Sequence, residues 1–194
     1  MTNPQRHLAT AWTAYRRNDQ AAMLTAAGNL VKHHPRHGEA WFWAGCLRER
    51  LGDLMGADNA FRRAARAPDE PVGMPFRCHW RTFQRAVDAA SAAIPVGLRP
   101  AFAELSIELG DYAEPWQLDG IDEPELLGLF SGPAKGEEAA PGELSPRIHL
   151  WKRAHEHSVG DARAFTAEVR TTLFHEFGHY LGYDEDDLEK IGLG

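Results

Sequence analysis

Two histidines four residues apart enclose a glutamate in His175-Glu176-Phe177-Gly178-His179. Residues at i and i+4 share one face of a helix, so the two imidazoles would point the same way and could hold one metal ion. Glu176 would lie about 100° round the helix from His175, beside the metal rather than on it. A carboxylate there can take a proton from a metal-activated water, which is zinc-hydrolase chemistry. The bland alternative is an amphipathic helix with surface histidines.

The element that must position these side chains is a helix over Asp161–Leu181, where Phe165, Val169, Leu173, Phe177 and Leu181 recur in steps of four. Phe177 falls between the two histidines, so one face packs while the other presents imidazoles. Gly182 ends the helix, because a left-handed C-terminal residue is most easily glycine. No His or Cys follows His179. A third ligand then comes from the acidic tail (Asp184, Glu185, Asp186, Asp187, Glu189) or from upstream, where His155 and His157 would share one side of an extended segment. Those two histidines also fit a solvated turn before the helix.

Composition is that of a globular chain: 194 residues, 43% hydrophobic and 25% charged. The N-terminus has no apolar run that would mark a secretory signal, and no stretch reaches membrane-spanning length. Cys46 and Cys78 lack metal-ligand spacing, each falls in a helical pattern, and both fit buried thiols in a reducing cytoplasm. Residues 1–75 carry ten Lys+Arg against seven Asp+Glu, or +3. The remainder carries eleven against twenty-one, or −10, and the two make up the net −7. An acidic candidate catalytic half would repel phosphates and argues against nucleic acid as substrate.

A shift of 34 residues aligns two helical pairs near the N-terminus. Asn18-Asp19 falls on Gly52-Asp53, Ala11 on Gly45, Ala27 on Phe61 and Leu30 on Ala64. The second unit, with Trp41, Ala44, Gly45, Ala57, Phe61, Ala64 and Pro68, resembles the tetratricopeptide repeat. The first departs from it at His7 and Ala27. That resemblance implies either a docking surface for a protein partner or a helical prop for the rest of the chain. A further helix over Pro75–Ile94, through Phe76, Trp80, Phe83, Val87 and Ala90, would supply the layer that two repeats lack.

The turn-rich Pro68–Pro75 stretch is the expected boundary between a helical-repeat domain, 1–70, and a second domain, 75–194. Beyond it, Leu105–Leu109, Leu126–Phe130 and Arg147–Arg153 read as short strands. Ser131–Pro146, rich in Gly, Pro, Glu and Ala, reads as a mobile surface loop. The expected fold class is α+β: a repeat pair, then a three-stranded sheet and a metal-binding helix.

From about Phe76 onward the chain resembles the small bacterial zincin-like metallopeptidases, or minimal zincins. The resemblance rests on Ala92–Pro95, Glu125–Phe130, Arg147–Trp151 and His175–Leu188. It implies a neutral zinc peptidase acting on peptide or protein substrates, with Zn2+ held by His175, His179 and Glu185 and with Glu176 as general base. The family more often has Asp at the place of Glu185. Zincins also take substrate as a strand along a sheet edge and need an oxyanion donor, for which Tyr180, Tyr183 and His157 lie near in sequence. The alternative reading is a metal-stabilised adaptor that binds a partner through its repeats and cleaves nothing.

Overall fold

The structure is a computed structural model that describes residues 4–120, 126–138, 142 and 145–190. The chain forms two compact units. The first comprises residues 1–75 together with 114–124, and the second comprises 76–113 and 125–194.

In the first unit Asp19 and Asp53 repeat one device 34 residues apart. Each accepts a hydrogen bond from the backbone three residues on (Ala22 N, 3.0 Å; Gly56 N, 2.9 Å) and so starts a helix. Each follows a left-handed residue, Asn18 at φ 50° and Gly52 at φ 82°, types that tolerate this conformation. Two tight turns therefore join α1 (Gln5–Arg16) to α2 (Gln20–His33) and α3 (Gly38–Arg50) to α4 (Leu54–Ala65). α3 and α4 approach so closely at Gly45 that an added Cβ would lie 2.6 Å from the fully buried Phe61 ring. The equivalent place in the first pair is filled by the smaller Ala11 and Ala27, both buried.

The second unit holds α5 (Trp80–Ala92), α6 (Arg99–Phe102), β1 (Ser106–Gly110), β2 (Gly128–Ser131), β3 (Arg147–Trp151), α7 (Lys152–Ser158), α8 (Ala162–Tyr180) and α9 (Glu185–Lys190). β3 is the central strand. β1 runs parallel to it with Ile107 opposite Ile148, and β2 antiparallel with Phe130 opposite Ile148. Ile148 and Leu150 are the sheet's fully buried members of a core with Phe83, Val87, Phe165, Val169, Leu173 and Phe177, against which Ile107, Leu109 and Phe130 also pack.

Four expectations change here. The helix expected from Pro75 begins only at Trp80, because the preceding backbone is bonded elsewhere: Phe76 N–H donates to Val159 O and Cys78 N–H to Glu156. Cys78 thus precedes the helix. The buried residues of α5 pack in the second unit's own core, so α5 is not simply the missing layer of the repeats, and Trp80 is partly exposed. The strand expected to reach Arg153 stops at Trp151, because Lys152 and Arg153 both pair with Glu156 one turn on, which favours a helix. His155 and His157 are consequently buried in α7, neither extended nor solvated. Of the loop expected over Ser131–Pro146, residues 139–141, 143 and 144 lie outside the described residues. So do Glu125 and the tail beyond Lys190.

Candidate metal centre

α8 begins where Asp161 accepts hydrogen bonds from Arg163 N and Ala164 N, both 2.9 Å. It ends in a Schellman motif, with Tyr183 N–H bonded to Gly178 O and Gly182 N–H to His179 O while Gly182 sits at φ 90°. The motif reverses the chain within one turn of the histidines. Asp184 then starts α9 by accepting from Asp187 N (2.9 Å), and Leu188 is fully buried against α8. Gly178 makes that docking possible, since a Cβ there would overlap the Leu188 side chain.

These contacts return Glu185 to the face that carries both imidazoles. His175 Nε2 and His179 Nε2 lie 3.0 Å apart, and the Glu185 carboxylate oxygens are 3.7 Å and 3.3 Å from them. All three ligand atoms fall within 4.8 Å of one another, with both histidines half-buried and Glu185 exposed. His179 Nδ1 lies 3.1 Å from Tyr183 O. A hydrogen bond there places the proton on Nδ1 and leaves Nε2 as the free lone pair, as metal-binding histidines require. Two borderline nitrogens and one carboxylate, open to solvent on one side, fit a catalytic zinc set of three protein ligands.

Glu176 stands beside this group but points into the protein. It is 7% exposed, and its Oε2 accepts the Phe130 N–H of β2 at 2.7 Å. Burial raises its carboxyl above the usual range. His175, the Phe130 hydrogen bond and His179 oppose that shift. β2 comes this close because residue 128 is glycine: a Cβ would lie 2.6 Å from Thr172 and 2.9 Å from the Glu176 side chain.

The upstream histidines are occupied differently. His155 Nδ1 lies 2.8 Å from Trp151 O and its Nε2 3.2 Å from Thr172 Oγ1. Its burial, partly offset by the Trp151 hydrogen bond, lowers its pKa to about 4, so it is neutral. Among the described residues, neither it nor His157 joins the converging ligand atoms. The Tyr180 hydroxyl donates to Glu104, and burial together with that carboxylate raises its pKa to about 12. It is therefore committed elsewhere and is no free oxyanion donor. Tyr183 is 47% exposed.

Sequence reading gave no role at the centre to Phe130, Gly128 or Gly178, while Leu188 was expected to pack beneath a last helix and is buried there. Gly128 carried a usable signal, since a glycine inside a strand pattern marks a close backbone approach. The Phe130 contribution is a backbone N–H and leaves no trace in residue type.

No curated protein matches the chain. No helix among the described residues is long and apolar enough to cross a membrane. Residues 102–194, slightly under half of the chain and including every residue of the centre described above, match the family model for zincin-like metallopeptidases.

Proposed function

We propose that this protein is a zinc-dependent peptidase whose metal ligands are His175, His179 and Glu185. The observation that carries the reading is the convergence of those three side chains beside a carboxylate withdrawn from solvent. The family likeness of residues 102–194 supports the same chemistry. Bound at this point, zinc supplies a Lewis acid for the scissile carbonyl and for water. Glu176 accepts the proton of the attacking water on its carboxylate and delivers it to the departing amine. Its burial raises its proton affinity, and the Phe130 N–H holds its orientation. β2 is an edge strand beside Glu176 and is the nearer edge for an extended peptide. Cys46 and Cys78 form no disulfide, which suits a reducing cytoplasm.

Glu176→Gln should keep zinc while reducing cleavage of a peptide library at least about a hundredfold. Unchanged turnover would overturn the assignment of the base. A zinc-loaded wild type that cleaves no peptide would instead support the adaptor, with the helical pairs as its partner-binding part.

A further inference from the structure

We propose that His37, Glu39 and Glu70, all in the first unit, form a second divalent-cation site that clasps the start of α3 to the segment after α4. One ligand atom from each of the three side chains lies within 4.8 Å of the other two. His37 Nε2 is 3.5 Å from a Glu70 carboxylate oxygen, and the His37 side chain is mostly buried while Glu70 reaches solvent.

The backbone beneath this group is held from both sides. Asp69 N–H donates to Arg36 O (3.0 Å) and Gly38 N–H to Asp69 O (2.8 Å), so residues 36–38 and 69 form a short parallel bridge. Gly38 lies directly on the Glu70 carbonyl with no room for a Cβ. The three ligand positions are thus brought together by main-chain contacts that need no cation. Two carboxylate oxygens held within 4.8 Å of each other and of one imidazole nitrogen repel each other less when positive charge lies between them. The neighbouring Arg36 does not supply it, because its guanidinium is paired with Asp69 at 3.2 Å and 3.3 Å. The imidazole decides the class of ion. One nitrogen and two carboxylate ligands favour zinc or a similar first-row divalent ion over magnesium, which takes oxygen ligands and keeps its waters.

The test is calorimetric titration of the full chain, stripped by chelator, with Zn2+ and separately with Mg2+. Wild type is expected to bind two equivalents of zinc. Glu70→Gln and the double variant Glu39→Gln/Glu70→Gln should leave one, with cleavage activity unchanged. His175→Ala/His179→Ala should also leave one, now sensitive to Glu70→Gln. The glutamine variants change exposed or half-exposed side chains, and circular dichroism verifies their fold. The proposal is overturned if wild type binds a single zinc that His175→Ala/His179→Ala abolishes. It is also overturned if the second zinc survives Glu39→Gln/Glu70→Gln, and its assignment to zinc rather than magnesium is overturned if Mg2+ binds there as well as Zn2+. One zinc that disappears with Glu70→Gln but persists in His175→Ala/His179→Ala would sustain this site and refute the centre on α8.

Discussion

Glu185 reaches the imidazoles through neighbours that never touch a metal. Asp184 starts α9 and Leu188 anchors it against Gly178, so the carboxylate is aimed by the short helix that bears it. Glu185→Ala should weaken zinc most in a chelator competition. Asp184→Ala should also weaken it, by up to about tenfold, because losing a helix cap costs about 1 kcal/mol. Asp187→Ala, whose carboxylate pairs with the exposed Lys190, should bind like wild type. Equal affinity for Glu185→Ala and wild type would remove Glu185 from the ligand set. Gly128→Val separates the base from the metal: its side chain would displace Glu176, so cleavage should fall at least about tenfold while zinc is retained. Loss of both together would mean that β2 supports the whole centre.

α7 shows how an element can be mistaken for a site. His155 and His157 lie where an upstream metal ligand was conceivable, yet α7 is a buried connector held by Glu156, whose carboxylate meets Lys152, Arg153, Arg77 and the Cys78 N–H. His155 is neutral in the folded state, with a pKa of about 4 against 6.5 for an unperturbed imidazole. Between those values the unfolded chain binds the proton and the folded chain does not. Stability from this group is therefore fully present above about pH 6.5 and is lost as pH falls toward 4, a contribution of about 3 kcal/mol. Urea unfolding across that window should show the decline in wild type and a flatter profile in His155→Asn. Parallel profiles would assign the pH dependence to other groups.

At the scale of the whole molecule, every proposed ligand of the α8 centre lies in the second unit, while residues 114–124 group with the first. A chain starting at residue 76 should still bind zinc at the α8 centre, because no ligand is removed. It should melt at a lower temperature than the full chain, because residues 114–120 lose the unit they belong to. Zinc analysis and calorimetry of this shortened chain check both. Loss of zinc with a folded circular dichroism spectrum would show that the α8 centre depends on the first unit.

Local chemistry was legible in the sequence. The periodic apolar face of α8, its Gly182 stop and the histidine spacing are all set by residues within a few positions of one another. So are the two Asp-capped helix turns at Asp19 and Asp53. Alternation also located three strands, though it carried β3 two residues too far and could not give the β1-β3-β2 order. What only the tertiary structure decided are contacts between residues far apart in the chain. These include the Phe130 N–H on Glu176, Gly128 against Thr172, and Glu156 drawing the Cys78 backbone out of a helix. The close approach of Gly38 to Glu70 belongs with them. A backbone N–H has no letter in the sequence, and a missing Cβ signifies only when its distant neighbour is known.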